Sequence, residues 1–196
     1  MKKTLLVSTL LACSGLAQAA ESPRWDSAAV SYQSVDLDGE TFSGFGLSAF
    51  KLISDDFFAT GSYSNTSDDI TIYESAKVDL DLDMLSIGFG YRYELTPNTD
   101  FFGIVSYEDI ELESSYLGNS LSNGDNGYGL EAGVRSMVTA DIELKGSIKY
   151  INIDGSSETA LNVAAVYNFT EQFAASIGYS KSDDLDVLSI AAVYYF

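Results

Sequence analysis

The final eleven residues of the chain, 186–196, alternate between two unlike sets of side chains. Counting back from the end, every second residue is apolar: Phe196, Tyr194, Ala192, Ile190 and Leu188. The residues between them are smaller or amphipathic. Because successive side chains of a strand point to opposite faces, this period of two predicts a β-strand with two unlike faces. An apolar strand with an open edge promotes aggregation, so it needs a partner on both sides, and a closed barrel supplies both.

This terminal stretch resembles the C-terminal strand of Gram-negative outer-membrane β-barrels, which ends in Phe after alternating apolar residues. The resemblance implies export through the periplasm, with its chaperones, and a final location in the bacterial outer membrane. It also implies that the terminal strand is the signal read by the outer-membrane assembly machinery. The residues of this chain that would form that signal are Leu188, Ile190, Tyr194 and Phe196.

The first twenty residues have the three parts of a secretory signal peptide. Lys2 and Lys3 supply positive charge, residues 4–12 are apolar, and Ala17 and Ala19 have the small-x-small spacing of a cleavage site. We therefore predict that residues 1–20 are removed and that residues 21–196 form a single barrel domain. A lipoprotein signal ending at Cys13 is the alternative, but it leaves a short apolar core and an unexplained downstream site.

Composition excludes several other classes of protein. The 29 acidic and 10 basic residues argue against nucleic acid, whose phosphates require Lys and Arg. The 13 Tyr and 11 Phe argue against disorder. The one cysteine, Cys13, lies in the predicted signal, which leaves neither a disulfide nor a thiolate metal site. Beyond the signal there is no run of 18 apolar residues, whereas tyrosine-rich alternating segments are typical of a transmembrane barrel.

Alternation recurs along the chain and predicts ten strands. Their ranges are 25–35, 41–52, 57–65, 82–93, 101–111, 128–137, 142–151, 159–169, 173–181 and 186–196. Longer polar loops are expected at 66–79 and from 112 to 127. An even number places both ends of the chain on the periplasmic side, and about ten residues suffice for a tilted strand to cross a membrane. Eight strands are the alternative if one hairpin lies outside the membrane.

Outward-facing aromatic residues form two groups in this interpretation. Beside the predicted periplasmic turns lie Phe57, Tyr93, Phe101, Phe169, Phe173 and Phe196. Beside the opposite loops lie Tyr32, Tyr63, Tyr107, Tyr128, Tyr150 and Tyr179. Amphipathic rings favour both membrane interfaces, and a soluble β-sandwich would not need them. Over the whole predicted mature chain, the pattern resembles small outer-membrane barrels of the OmpA and OmpX type, widened by one hairpin. The resemblance implies an all-β, closed, antiparallel up-and-down transmembrane barrel.

Several charged residues fall on the inward face of these strands. They are Arg92, Glu108, Glu131, Arg135, Glu143, Lys145 and Lys149. Because desolvated charges must be paired, we predict a network of ion pairs and hydrogen bonds that plugs the lumen. In particular, Glu131 and Arg135 are expected to interleave with the charges of the seventh strand. A charged constriction in a narrow water path is the alternative.

Acidic residues gather at the predicted outer rim. Asp79, Asp81 and Asp83 alternate and so share one face of a strand, where their oxygens could hold Ca²⁺ or Mg²⁺ and bridge to lipopolysaccharide. A solvated rim without metal is the favoured interpretation, because no EF-hand spacing accompanies them. We therefore predict no resident metal or cofactor.

The chain has no histidine, on which known outer-membrane barrel enzymes rely, so we predict that it is not an enzyme. The favoured function is structural or surface interaction by a monomer embedded among outer-membrane lipid and lipopolysaccharide. A narrow passive channel for small solutes or ions is the alternative, and a carboxylate-based envelope enzyme is a third hypothesis.

Overall fold

The computed structural model describes residues 22–37, 40–72, 76–116, 119–183 and 185–196. Ten strands occupy these ranges, numbered in chain order. Their bounds are β1 Ser27–Leu37, β2 Glu40–Leu52, β3 Phe57–Ile72, β4 Ala76–Thr96, β5 Thr99–Tyr116, β6 Asn119–Met137, β7 Ile142–Ile153, β8 Ser156–Asn168, β9 Phe173–Lys181 and β10 Leu185–Tyr195. The predicted signal peptide lies outside the described residues. Within the described ranges, no helix is long and apolar enough to cross a membrane.

Each strand pairs antiparallel with the next one along the chain, and β10 pairs with β1. In that closing pair, Ser27 lies opposite Tyr195 and Leu37 lies opposite Leu185. The prediction of a closed, ten-stranded, up-and-down barrel is therefore confirmed. We call the end of the barrel that holds residues 22 and 196 the terminal end, and the opposite end the distal end.

The outer face of the barrel is apolar, as the alternation predicts. In β2, Phe45 and Leu47 are exposed, while Phe42 on the inward register is buried. Exposed rings border this face at both ends, among them Phe173 at the terminal end and Tyr128 at the distal end. A closed sheet satisfies its backbone hydrogen bonds internally, so this apolar face suits a lipid environment.

Four strands, β3 to β6, extend further at the distal end than the prediction allowed. Residues 66–72 and 76–79, expected to be loop, belong to β3 and β4, and residues 119–127 belong to β6. The prediction failed here because it depended on apolar alternation. In β4 the pattern is reversed at this end: Leu80 and Leu82 pack inside, while Asp81 and Asp83 take the outward register, so the strand continues without an apolar outer face.

Among the described residues, the interior holds two apolar clusters at different heights and a third, formed by Val166, Ala174 and Tyr195, near the terminal end. Near the terminal end, Trp25, Phe58 and Phe102 pack together with Ile104. Near the distal end, Val35, Phe42 and Leu82 form the second cluster. Trp25 was predicted to begin the first strand, but it precedes β1 and folds inward instead. The charged side chains of the lumen lie at the level of the first cluster and between the two.

Candidate functional site

The most deeply buried ion pair among the described residues joins Arg135 on β6 to Glu143 on β7. Their side chains are 3% and 1% exposed, and the guanidinium donates from Nε to Oε1 at 2.6 Å and from Nη2 to Oε2 at 3.1 Å. The Lys145 ammonium lies 3.8 Å from Oε1 of the same carboxylate. The Arg135 guanidinium also lies 4.3 Å from the centre of the Trp25 ring, in cation–π contact. These contacts compensate the loss of water around both charges.

Asp100, which we expected in a turn, joins this interior network. It lies in β5 and is 1% exposed, and its Oδ2 accepts hydrogen bonds from Trp25 Nε1 at 2.6 Å and Arg92 Nη1 at 3.3 Å. The signal that could have located it is the period of two, since Asp100 shares the inward register with Glu108 on the same strand. If the predicted turn at 94–100 had ended at residue 99, Asp100 would have been assigned to the inward face of the fifth strand.

Glu108 on β5 is the centre of a second group, halfway along the lumen. Its Oε1 lies 2.8 Å from Lys149 Nζ and accepts hydrogen bonds from the hydroxyls of Ser86 and Ser106. Glu131, in contrast, forms no ion pair among the described residues, and accepts a hydrogen bond from Ser147 Oγ at 2.6 Å. All seven predicted charges lie on the inward register, in separate groups. Glu131 and Arg135 lie opposite Lys149 and Lys145 in the β6–β7 ladder, but of these two β6 residues only Arg135 forms an ion pair with a charge of β7 among the described residues.

A cavity of about 320 Å³ lies in the lumen beside these groups. Trp25 lines it at the terminal end, Ser62 and Ser106 line one wall, and Glu131 and Lys149 line another. Hydroxyl groups and paired charges make this space polar. Its chemistry suits water or a small polar solute, and two of the serines that line it, Ser106 and Ser147, donate hydrogen bonds to the carboxylates of Glu108 and Glu131.

We call the distal parts of β3 to β6, residues 65–72, 76–83, 109–116 and 119–126, the distal extension. The acidic rim lies on its outward face. Asp83 is opposite Glu111, and Asp81 is opposite Glu113, in the β4–β5 ladder. Tyr63 donates a hydrogen bond to Asp83 Oδ1 at 2.5 Å. The side chain of Asp79 lies outside the described part of the structure. Among the described side chains, no group of three or more His, Cys, Asp or Glu residues is arranged to hold a metal ion.

The C-terminal strand presents the predicted assembly residues to the outside. Leu188, Ile190, Tyr194 and Phe196 are all exposed on the apolar face. The Phe196 ring stacks on Tyr194, and the Lys51 ammonium lies 5.0 Å from its centre. The four residues thus form one accessible stripe on the barrel exterior.

A closed barrel with an apolar exterior, two aromatic borders and internally paired charges defines an integral membrane β-barrel. The chain belongs to the outer membrane protein beta-barrel domain family, whose model matches residues 4–194. The protein is therefore located in the bacterial outer membrane. Such barrels have short turns on the periplasmic side and longer loops outside, so we expect the terminal end, with its short turns, to face the periplasm and the distal end to face outward.

Solved structures share the fold at low identity. The NanC porin is 11% identical, with 85% of this chain and 99% of that chain covered and a TM-score of 0.53. The translocator domain of the autotransporter NalP from Neisseria meningitidis is 10% identical, with coverages of 98% and 95% and a TM-score of 0.50. Ail, the attachment invasion locus protein of Yersinia pestis, is 18% identical, with coverages of 89% and 98% and a TM-score of 0.47. No curated protein matches the chain.

Proposed function

We propose that this protein is a monomeric, non-enzymatic outer-membrane barrel that acts at the cell surface through its distal extension. The observation that carries the proposal is an open sheet edge. The β6 segment 119–126 pairs with β5, whereas the β6–β7 ladder begins only at Gly127 and Ile153. Within the described chain, this segment therefore has hydrogen-bonding groups with no strand beside them. Such an edge is a template for a strand from another molecule.

The charge of the extension favours a cationic partner. Asp83 opposes Glu111 and Asp81 opposes Glu113 on its outward face, and no described Lys or Arg forms a salt bridge with these four carboxylates. Like charges directly opposite each other in a ladder are destabilising, so a basic partner would relieve this repulsion. We infer that the extension receives an extended segment that carries Lys or Arg.

The interior supports a barrel that is closed at rest. Side chains of the Trp25 cluster and of the Val35 cluster fill the lumen near its two ends, and the charges between them are mostly paired. A ten-stranded barrel is only slightly wider than one that side chains fill completely. The cavity of about 320 Å³ favours the second candidate, a narrow channel. An enzymatic role is less well supported, because the chain lacks histidine.

Single-channel recording separates the closed barrel from the channel. The protein is purified from outer membranes and inserted into a planar bilayer in symmetric salt, alongside a Lys149→Ala variant. We expect no conductance steps from either the folded unchanged protein or the folded Lys149→Ala variant. Reproducible small steps that change with Lys149→Ala would instead establish the channel and make the lumen charges its selectivity filter.

Peptide binding tests the surface role directly. The probe is a fluorescent eight-residue peptide of alternating Lys and Thr, and its control has Glu in place of Lys. We expect the Lys peptide to bind the barrel in lipid nanodiscs with an affinity that falls as salt increases. Replacing both Glu111 and Glu113 by Gln should abolish most binding. Asp154→Asn with Glu158→Gln removes two acids from the β7–β8 hairpin and should leave binding unchanged.

One further variant addresses the open edge. Leu121 accepts a hydrogen bond from Ser114 Oγ of β5 through its carbonyl, so its backbone groups face β5. Because backbone groups of successive residues alternate in direction, those of Ser122 face the open edge. Ser122→Pro should therefore remove an edge donor and weaken peptide binding while the β5–β6 ladder stays intact. Binding that is equally strong in Ser122→Pro would exclude strand addition at this edge.

A further inference from the structure

The segment before β1 leaves the sheet and places the Trp25 side chain in the lumen near its terminal end. Residues 22–26 are not part of any strand, yet Trp25 is only 2% exposed. Its ring centre lies 4.5 Å from that of Phe58 and 5.8 Å from that of Phe102. The indole thus occupies the interior at the level where β3 and β5 approach the terminal end.

The contacts that hold this segment join it to several strands. Trp25 donates to Asp100 on β5, and Arg135 on β6 donates from Nη2 to the Arg24 carbonyl at 2.7 Å. The Arg24 guanidinium lies 4.3 Å from the Tyr195 ring centre and donates to the carbonyl of Glu171 in the β8–β9 turn. All of these contacts are made by side chains or by single carbonyls. Asp26, in contrast, is tied to the barrel, because its carbonyl accepts a hydrogen bond from Phe196 N at 3.2 Å and its carboxylate accepts hydrogen bonds from Lys51 and Leu52 N. Residues 22–25 form no described backbone–backbone hydrogen bond with a strand, so they can leave the lumen while the ladder stays closed.

The polar cavity lies immediately behind the indole. Trp25 lines the cavity together with Ser62, Lys149 and Asn162. At the other end of the lumen, Val35, Phe42 and Leu82 form an apolar cluster that belongs to the strands themselves. The two ends differ in one respect. Every member of the distal cluster lies on a strand, whereas at the terminal end one member, Trp25, comes from the segment before β1 and packs against the strand residues Phe58, Phe102 and Ile104. Only the terminal end can therefore lose a ring from the lumen without movement of a strand.

We propose that residues 22–25 form a movable segment, which we call the door, between the lumen cavity and the periplasm, and that the Trp25 side chain is the part of the door that blocks entry. When this segment moves out of the lumen, the cavity becomes a polar chamber. Small hydrophilic molecules can then enter it from the periplasmic side only. The distal cluster keeps this chamber closed to the outside. The proposal concerns the lumen and does not depend on the surface role of the distal extension.

Thiol labelling tests the door. Ser62 faces the cavity and forms no side-chain hydrogen bond among those described, so Ser62→Cys introduces a probe with little perturbation. The protein is purified from outer membranes into lipid nanodiscs, where both ends meet solution. Labelling by a small, charged methanethiosulfonate reagent is followed over time. Protein without Ser62→Cys gives the background, and Ser120→Cys on the distal extension gives the rate for an open site.

We expect Ser62→Cys to label slowly in the otherwise unchanged barrel and roughly tenfold faster or more when Trp25→Ala is added, because the open population governs access. Arg24→Ala removes the contacts of the half-buried Arg24 side chain with Tyr195 and Glu171, so it should give an intermediate labelling rate. This variant tests the proposal if Trp25→Ala does not fold. Phe42→Ala, a matched loss of an aromatic ring from the distal cluster, should leave the rate unchanged. Equal rates in all backgrounds, or an equal acceleration by Phe42→Ala, would overturn the proposal.

Discussion

Lys149 pairs with Glu108, two strands away, although Glu131 lies directly opposite it in the β6–β7 ladder. The Lys149 side chain reaches β5 by crossing β6 at Gly129, which has no side chain in its path. A Cβ added there would lie 2.6 Å from Glu108 Oε1 and 3.1 Å from Lys149 Cε. The glycine therefore determines which carboxylate the lysine reaches.

Gly129→Ala should destabilise the barrel by about 1–3 kcal/mol, because the new methyl group overpacks the Glu108 group. The free energy of unfolding is measured by urea titration in lipid vesicles. Gly146→Ala on β7 is the matched control, since no atom lies within 4 Å of the added Cβ. Its effect should stay within about 0.5 kcal/mol. Equal losses in the two variants would show that the space at Gly129 is not required.

Replacing either partner of the Glu108–Lys149 pair should leave the other charge buried without compensation. We expect Glu108→Gln and Lys149→Met each to cost about 3 kcal/mol in unfolding free energy, and the double variant to cost clearly less than the sum. The exposed pair Asp26 and Lys51 provides the control cycle, with a coupling energy below about 1 kcal/mol. Additive losses at Glu108 and Lys149 would mean that the two charges act independently.

The inward register could be predicted from the sequence because a period of two fixes the face of each residue. Arg135 and Glu143 were predicted inside for that reason, and they bond each other. The partner of Lys149 could not be predicted, since it depends on the empty space at Gly129 rather than on register.

The sequence was less informative where the apolar pattern ends. Trp25 reads as the start of an alternating strand, but the barrel interior offers its indole a carboxylate and three aromatic neighbours. The distal part of β4 does alternate, but in the opposite sense: Leu80 and Leu82 pack inside, and Asp81 and Asp83 take the outward register. The prediction looked for apolar residues on the outward face, so it ended the strands too early. The periodicity of a sequence indicates which residues of a strand are buried. Trp25 and the distal parts of β3 to β6 are placed by tertiary contacts, which this periodicity does not describe.

Stability should depend weakly on pH through Asp26, which precedes β1 at the periplasmic end. Burial is the largest single influence and raises the pKa of its carboxyl, but the Lys51 ammonium and the Leu52 N–H, which donate to it, together lower the pKa by more. A depressed folded-state pKa stabilises the protein above the unfolded value of about 3.9 and loses that effect as the pH falls through the folded value. Between pH 5 and pH 3, unfolding free energy should therefore fall more in the wild type than in Asp26→Asn. Parallel pH curves would contradict this.

Phe196 is expected to matter for assembly in the cell more than for the stability of the finished barrel. Its ring is exposed and contacts Tyr194 and Lys51, so little packing is lost on its removal. Phe196→Ala should reduce the amount of barrel in the outer membrane several-fold, while refolding of purified protein into lipid vesicles changes by less than about 1 kcal/mol. Phe169→Ala, an equally exposed aromatic at the same periplasmic border, is the matched control and should leave the amount in the outer membrane unchanged. If both variants reduce that amount alike, the ring is needed at the membrane interface and not as a recognition signal.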